Sequence, residues 1–175
     1  AGEYTLVLKP EAAAAYPNYA IQYTPVKFSI AKRAVEIVIE KNTHVNYGFA
    51  DEVLKTKLAN AYSFNAGAVS SDAVKAELGD VLTVTLGNKV NAGDNYEIKV
   101  NTTESKNFVI SNGDATGTLV VDQLPVIIKA EANQSKVYGV KDSGYAKYEV
   151  LGINQEELGT SCTAESVKAE LDAFK

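Results

Sequence analysis

Few side chains in this sequence are of types that could carry covalent or metal chemistry. There is one cysteine, Cys162, and one histidine, His44. A single thiol forms no internal disulfide, and a single imidazole supplies neither a metal cluster nor a nucleophile together with its base. We therefore expect Cys162 to be a buried apolar side chain and His44, in a polar stretch, to be solvated.

Aspartates in turn-like segments are the other candidates, because Ca²⁺ in proteins prefers carboxylate and carbonyl oxygens. They are Asp51, Asp94, Asp114 and Asp142. None has the D-x-[DN]-x-[DN]-G spacing of a calcium loop, and aspartate in a turn often hydrogen-bonds its own backbone. The turn interpretation is favoured, and we expect no metal and no cofactor.

The sequence also lacks the patterns of the common enzyme classes, such as G-x-S-x-G, H-E-x-x-H or a phosphate-binding loop. A glycosidase needs only two carboxylates, which leave no pattern, so that alternative stays open. The net charge of −5 and the single arginine, Arg33, argue against a nucleic-acid partner. An apolar fraction of 46% is typical of a globular domain. We expect a folded protein that is not an enzyme.

A Tyr-Gly step followed by aspartate occurs twice. Its residues are Tyr47, Gly48 and Asp51 in one place and Tyr138, Gly139 and Asp142 in the other. Exposed tyrosines could grip a sugar or a peptide. Alternatively, each step is a turn in which glycine supplies a positive φ angle and tyrosine packs over a helix. The structural interpretation is favoured because arrays of repeats retain what folding needs.

Other segments recur at nearly the same spacing. The stretch "VKAEL" begins at residue 74 and again at residue 167, 93 residues later, and the two Tyr-Gly steps lie 91 residues apart. Likewise Tyr4 precedes Tyr96 by 92 residues and Asn18 precedes Asn107 by 89. Ordered matches with a small drift in spacing indicate an internal duplication, with a repeat of about 90 residues.

The repeat predicts how the chain is divided. Residues 1–34 form the C-terminal part of one repeat, 35–124 a complete repeat, and 125–175 the N-terminal part of a further repeat. An alternative division has two units, 1–80 and 81–175. Strands left without partners at either end are liabilities that proteins cover or pair, so strand-mediated self-association is expected under the first division.

Alternation of apolar and polar residues predicts a chain built mostly of strands. In "NYEIKV" the inward residues are Tyr96, Ile98 and Val100, matched in the earlier copy by Tyr4, Leu6 and Leu8. The more continuously apolar "VEIVIE" (35–40) and "VIIKAEA" (126–132) are expected to be central strands covered on both faces. The two good helix signals follow the capping residues Ser70 and Thr163, with Val69 and Cys162 buried beside them.

With these motifs in this order, the chain resembles the MBG-type repeat domains of bacterial surface proteins and adhesins. The resemblance rests on a strand and polar turn before each Tyr-Gly step, then "YAKYEVLG" (145–152), "NAGDNYEI" (91–98) and "NFVI" (107–110). It covers nearly the whole chain, although "EVLKTKLANAYSFNAGAV" (52–69) departs from the pattern. It implies tandem β-grasp-like modules, each a twisted sheet with one short helix. Ig-like β-sandwich repeats are the alternative fold.

The predicted function is that of a non-enzymatic structural repeat segment of a secreted, cell-surface or cell-wall protein of a bacterium, serving as a stalk, spacer or adhesive array. Its expected partners are neighbouring repeats of the same protein, linked by short segments such as "DQLP" (122–125). The alternative is an adhesin module that binds a host glycoprotein or polysaccharide through exposed tyrosines. A binder should carry an aromatic surface patch in one repeat only, whereas a spacer should carry none.

Overall fold

Strands make up most of the regular structure. A computed structural model describes residues 1–7, 15–139 and 147–173, so Leu8 and Asp142 of the predicted sets lie outside the described residues. The described part is mostly β with a few short helices, which confirms the predicted α+β class.

The strands are β1 (Gly2–Leu6), β2 (Val26–Ile30), β3 (Arg33–Ile39), β4 (Asn42–Asn46), β5 (Tyr62–Asn65), β6 (Leu82–Val84), β7 (Asn95–Val100), β8 (Phe108–Ile110), β9 (Thr116–Asp122), β10 (Ile127–Ala130) and β11 (Tyr148–Leu151). The helices are α1 (Asp51–Asn60), α2 (Ser71–Leu78) and α3 (Ala164–Asp172). The strands form four sheets, with the orders β1-β2, β10-β11, β5-β3-β8 and β4-β9-β7-β6.

The chain divides into two compact units, each assembled from separate segments. Unit 1 comprises Ala1–Val38, Ser63–Val81 and Val100–Ala115, and unit 2 comprises Ile39–Tyr62, Leu82–Lys99 and Thr116–Lys175. Unit 1 therefore holds the β1–β2 pair, α2 and most of the three-stranded sheet. Unit 2 holds α1, α3, the β10–β11 pair and most of the four-stranded sheet.

In unit 1, the core includes buried side chains of both β3 and α2. Val35 and Ile37 of β3 are buried, as are Val74 and Leu78 of α2. Val74 and Leu78 lie four residues apart, hence on one face of the helix. The expectation that β3 is covered on both faces is wrong, because Val38 is 56% exposed and the burial alternates along the strand. A strand can be central in its sheet and still face solvent on one side.

In unit 2, the core forms where β9 lies between two neighbours. β4 pairs with β9 in parallel, placing Val45 opposite Val121, and β7 pairs with β9 antiparallel, placing Tyr96 opposite Leu119. The predicted alternation of β7 is confirmed, since Ile98 is fully buried and its neighbours Glu97 and Lys99 are exposed.

One terminal strand pair repeats the pairing of two strands elsewhere in the chain. β1 pairs antiparallel with β2, and Tyr4 lies opposite Phe28. A shift of 92 residues along β1 and of 91 residues along β2 turns this pair into Tyr96 opposite Leu119, which is a pair found between β7 and β9. The burial is not the same, however. Every residue of β1, β2 and β10 is exposed, so the predicted burial of Tyr4 and Leu6, and of β10, is wrong.

The two predicted helices are confirmed, with their caps. Ser70 Oγ accepts a hydrogen bond from the Ala73 N–H, and Thr163 Oγ1 accepts one from the Ser166 N–H. Both cap bonds span three residues and both pairs are 93 residues apart, so the two helices begin in the same way. A single cap satisfies one of the amides that a helix start leaves unpaired.

Helix α1 is absent from the sequence-based expectations. It follows Ala50, which makes no side-chain cap bond, and among its described residues none is buried. Neither a cap nor an apolar stripe therefore marks it in the sequence. Asp51 and Glu52 lie in its first turn, where a carboxylate interacts favourably with the unpaired amides.

Candidate functional site

The first Tyr-Gly step lies against the segment that leads into α3, all within unit 2. The Ala50 N–H donates to the Glu157 carbonyl at 3.0 Å, and the Gly159 N–H donates to the Gly48 carbonyl at 2.8 Å. Phe49 and Leu158 form an antiparallel bridge between these two bonds. We call this arrangement the clasp, comprising residues 47–50 and 157–162. It joins two segments more than 100 residues apart by backbone pairing.

Gly48 is the position at which the clasp admits no side chain. Its φ angle is +79°, a region that other residues adopt at a cost. A β-carbon at this position would lie 2.5 Å from Cys162 Sγ and 2.8 Å from Cys162 Cβ, well inside van der Waals contact. Glycine is therefore required here both for backbone conformation and for space.

Cys162 is buried, as predicted. Burial raises the pKa of its thiol, and the Glu170 carboxylate raises it further. The thiol consequently stays protonated at neutral pH, whereas a nucleophilic cysteine needs the thiolate. Its counterpart Val69 is half-buried rather than buried, which corrects the expectation for that residue.

Tyr47 contacts α3 through its hydroxyl. The hydroxyl hydrogen-bonds Glu170, whose negative charge is the main cause of a raised Tyr47 pKa, followed by partial burial and Cys162. Protonated tyrosine can donate to the carboxylate, while tyrosinate would be repelled by it. Tyr47 therefore packs over a helix, as the structural interpretation of the Tyr-Gly step expects.

A small cleft of about 270 Å³ lies beside the clasp. Its walls include Tyr47, Asp51, Ser166 and Glu170. The Ser166 hydroxyl is occupied in the cap of α3, where it donates to the Thr163 carbonyl and accepts from the Thr163 N–H. Asp51 opens helix α1. Each of these four polar side chains thus has a structural role that accounts for its position.

The linker segment after β9 lies on the other side of Tyr47. Gln123, Leu124 and Val126 line a shallow, mainly apolar groove together with Val167 and Leu171 of α3. In and beside the predicted linker "DQLP", Leu124 and Val126 are half-buried, whereas Gln123 and Pro125 are exposed.

Among the described residues, no segment packs against the second Tyr-Gly step as residues 157–162 pack against the first. Gly139 has the same backbone conformation as Gly48, with a φ angle of +83°, but a β-carbon there would meet nothing within 4 Å. Tyr138 is fully exposed. Asp142, the third residue of this motif, lies outside the described residues. Of the six predicted motif residues, the structure gathers only Tyr47, Gly48 and Asp51.

The remaining candidates have local roles. His44 is exposed, as expected, and its Nδ1 lies 2.9 Å from Asp122 Oδ2. Asp94 accepts hydrogen bonds from the Asn91 N–H and the Tyr96 hydroxyl, as turn chemistry predicts. Within residues 1–7, 15–139 and 147–173, no three His, Cys, Asp or Glu side chains come together as a metal site. No helix in that part of the chain is long and apolar enough to span a membrane.

The sequence analysis did not identify Glu170 as a partner of Tyr47. A signal was present, because Glu170 is the glutamate of the second "VKAEL" segment. The equivalent glutamate in α2, Glu77, accepts hydrogen bonds from the Ser105 hydroxyl and from the backbone and side chain of Asn107. These bonds lower the Glu77 pKa. Both copies of the helix thus use the same glutamate to hold another segment, with different partners.

Comparison with known proteins adds no relative, since no family model, curated protein or solved structure matches the chain.

Proposed function

We propose that this chain is a non-enzymatic segment of a bacterial cell-surface or secreted protein, in which tandem β-grasp-like repeats of the MBG type serve as a stalk or spacer. The observation that carries the proposal is the clasp. Under the repeat division, residues 47–50 belong to the complete repeat and residues 157–162 to the following one. Two backbone hydrogen bonds and a buried thiol contact therefore join successive repeats directly.

A joint of this kind suits a mechanical role. A flexible tether would leave the backbone amides at the junction open to water, whereas here they are paired as in a sheet. Leu124 of the linker and Val126 just after it are half-buried, and both line a groove together with residues of α3. Each repeat is thereby stiffened by its neighbour, which is how stacked repeats gain stability.

The chemistry of the residues around the clasp supports a non-catalytic role. Cys162 is held as the thiol, the Tyr47 hydroxyl is held protonated, and the Ser166 hydroxyl serves a helix cap. An acyl-transfer site would need an activated nucleophile next to a base. These groups are instead stabilised in their unreactive states.

Hydrogen exchange tests the spacer directly. We expect the Ala50 and Gly159 amides of the clasp to exchange as slowly as the Thr118 and Val121 amides of β9, because all four open only when unit 2 unfolds. The exposed Tyr19 amide, which bonds the Tyr16 carbonyl, is the fast reference. If the clasp amides exchange as fast as the Tyr19 amide, the joint is flexible and the proposed spacer function is wrong.

A second candidate, an adhesin module for a host glycoprotein or polysaccharide, is favoured by the exposure of Tyr138 and of several tyrosines near the N-terminus. These are Tyr4, Tyr16, Tyr19 and Tyr23. The test is binding of the chain to arrays of glycans and extracellular-matrix proteins. If the chain binds and Tyr138→Ala abolishes the binding, this candidate is established with its site at Tyr138. If Tyr23→Ala abolishes the binding instead, the site lies among the tyrosines near the N-terminus.

A further inference from the structure

The turn that follows β8 contains the one Asn-Gly step in the sequence, Asn112–Gly113. A side-chain amide that precedes glycine is open to attack by the glycine nitrogen, because glycine has no β-carbon to hinder the approach. The product is a five-membered succinimide ring, which water opens to aspartate or isoaspartate. This step of the chain therefore carries a reaction that proceeds without an enzyme.

The Asn112 side chain is held by two hydrogen bonds to a single residue of β3. Asn112 Oδ1 accepts from the Ile37 N–H at 2.9 Å, and Asn112 Nδ2 donates to the Ile37 carbonyl at 2.9 Å. Both residues belong to unit 1. The amide thus exchanges both of its bonds with one residue, as a residue of a paired strand does.

These two bonds continue the pairing of β3 beyond the end of β8. The parallel register runs as far as Val35 opposite Ile110, and the Ser111 N–H then donates to the Val35 carbonyl at 2.9 Å. The backbone turns at residues 111–114, so the Asn112 side chain supplies the next partner of β3 in place of backbone. Ile37 is 2% exposed, and backbone groups buried in this way need partners.

Ring closure requires the Asn112 side chain to leave Ile37. The deprotonated Gly113 nitrogen attacks Asn112 Cγ, and the bond between Cγ and Nδ2 breaks. Nδ2 takes a proton from water and leaves as ammonia, which balances the proton that the Gly113 nitrogen gave up. In this step the planar amide carbon becomes tetrahedral. A tetrahedral carbon cannot keep both in-plane bonds to Ile37, so the folded contact opposes the reaction.

Neither product can restore the contact. Water adds to one of the two ring carbonyls, giving aspartate, or isoaspartate in which the main chain runs through the former side chain. A carboxylate only accepts hydrogen bonds, so it offers no donor to the Ile37 carbonyl, and its negative charge would face that oxygen. The reaction would therefore leave a buried carbonyl without its partner, which lowers the stability of the fold.

We propose that Asn112–Gly113 is a site of spontaneous deamidation, which the folded protein keeps closed through Ile37 and which opens when β3 separates from the turn at residues 111–114. Conversion then permanently weakens the attachment of β3 to that turn. The site records each such opening of unit 1 as a covalent change. The clasp lies in unit 2, so the fate of this proposal is independent of the proposed spacer function.

Peptide mapping by mass spectrometry tests the reaction on the chain as it is. The protein is incubated at mildly alkaline pH in buffer and in urea that unfolds it, and conversion of Asn112 is compared with that of Asn88, an exposed asparagine followed by lysine. We expect Asn112 to react faster than Asn88 in urea, and more than about tenfold more slowly in buffer than in urea, because the folded contact must first open. Equal rates for Asn112 in buffer and in urea would overturn the closure by Ile37. Equal rates for the two asparagines in urea would overturn the reactive step.

Gly113→Ala isolates the part played by the glycine. A β-carbon at residue 113 would lie 3.0 Å from Thr103 Cγ2 in the folded protein, so the variant is compared with wild type in urea, where that contact is absent. We expect conversion of Asn112 to slow by more than about tenfold, because the β-carbon hinders the attacking nitrogen. An unchanged rate would overturn the ring mechanism.

Asn112→Asp reproduces one product and tests its consequence. We expect this variant to have a lower urea midpoint than wild type, and its Ile37 amide to exchange more than about tenfold faster. Asn88→Asp is the matched control, because it makes the same change of charge at an exposed asparagine. If both variants have the same midpoint and the same Ile37 exchange, the proposed weakening is wrong. If Asn112→Asp does not fold, the rates measured on wild type still decide the proposal.

Discussion

At the scale of single residues, Gly48 and Gly139 are a natural pair for measuring what the clasp contributes. Both glycines have positive φ angles, +79° and +83°, but among the described residues only a β-carbon at Gly48 would meet another side chain within 4 Å. Alanine at either position carries a backbone cost of about 1 kcal/mol. At Gly48 it must also displace Cys162, and overpacking a buried contact adds about 1 to 3 kcal/mol.

We therefore expect Gly48→Ala to lower the free energy of unfolding by about 2 to 4 kcal/mol, and Gly139→Ala by about 1 kcal/mol. Urea unfolding curves measure both. Equal losses from the two substitutions would contradict the tight contact between Gly48 and Cys162. Adding Cys162→Ala to Gly48→Ala should recover part of the loss, because it makes room for the new methyl group.

Glu77 and Glu170 show one residue type serving two contacts. Both occupy the same place in "VKAEL" and both accept hydrogen bonds from a distant segment, Glu77 from the 105–107 loop and Glu170 from Tyr47. The repeated helix is thus held at its outer side by a carboxylate in each case. What the carboxylate meets depends on the neighbouring strands, not on the helix.

At the scale of secondary-structure elements, α2 and α3 have nearly the same sequence and unequal packing. Val74 of α2 is fully buried, whereas its counterpart Val167 in α3 is half-buried. Helix α3 is instead held on β11 by polar contacts: Lys168 Nζ donates to the Tyr148 carbonyl, and the Tyr148 hydroxyl donates to Asp172. The ammonium also lies 3.6 Å from the centre of the Tyr148 ring.

This difference predicts unequal effects of one substitution. Val74→Ala should cost about 2 to 3 kcal/mol of stability, since it leaves a cavity in the core, and Val167→Ala less than about 1 kcal/mol. Thermal or urea unfolding of the two variants would give the comparison. A loss at Val167 as large as that at Val74 would mean that α3 is buried to the same extent as α2.

At the scale of the whole molecule, stability should depend on pH on the alkaline side. The folded-state pKa values of Cys162 and Tyr47 are raised above their ordinary values of 9.0 and 10.0. A raised pKa means that folding favours the protonated form. The stabilisation is therefore fully present below the unfolded-state pKa and is lost as pH rises through the folded-state pKa.

We expect the free energy of unfolding to be falling by pH 9, where Cys162 is half ionised in the unfolded chain, and to fall further above pH 10. Tyr47→Phe should make the fall shallower, because it removes the group that Glu170 repels when ionised. Tyr138→Phe is the control, since that ring is fully exposed. Urea unfolding between neutral and alkaline pH tests this, and parallel curves for wild type and Tyr47→Phe would contradict it.

Local features of the sequence determined the repeated elements of this protein. Ser70 and Thr163 mark their helices because a cap and the amide it satisfies lie within one turn. The alternation along residues 95–100 marks β7 because successive side chains in a strand point to opposite faces. Gly48 and Gly139 both have positive φ angles because the same Tyr-Gly turn motif occurs twice in the sequence. These signals span a few residues each, so they can be read without knowing what lies nearby.

Only the tertiary structure decided which of these elements are buried and what they contact. β1 and β7 have matching patterns and registers, yet one is exposed and the other contains the fully buried Ile98, because burial depends on strands far away in sequence. The clasp between Gly48 and Cys162, and the partner of Glu170, likewise join segments more than 100 residues apart. Helix α1 carries no cap and no apolar stripe, so its residues alone did not predict it. A repeating local pattern determines the backbone conformation of each segment. Whether the side chains of that segment are buried depends on which other segments pack against it in the folded chain.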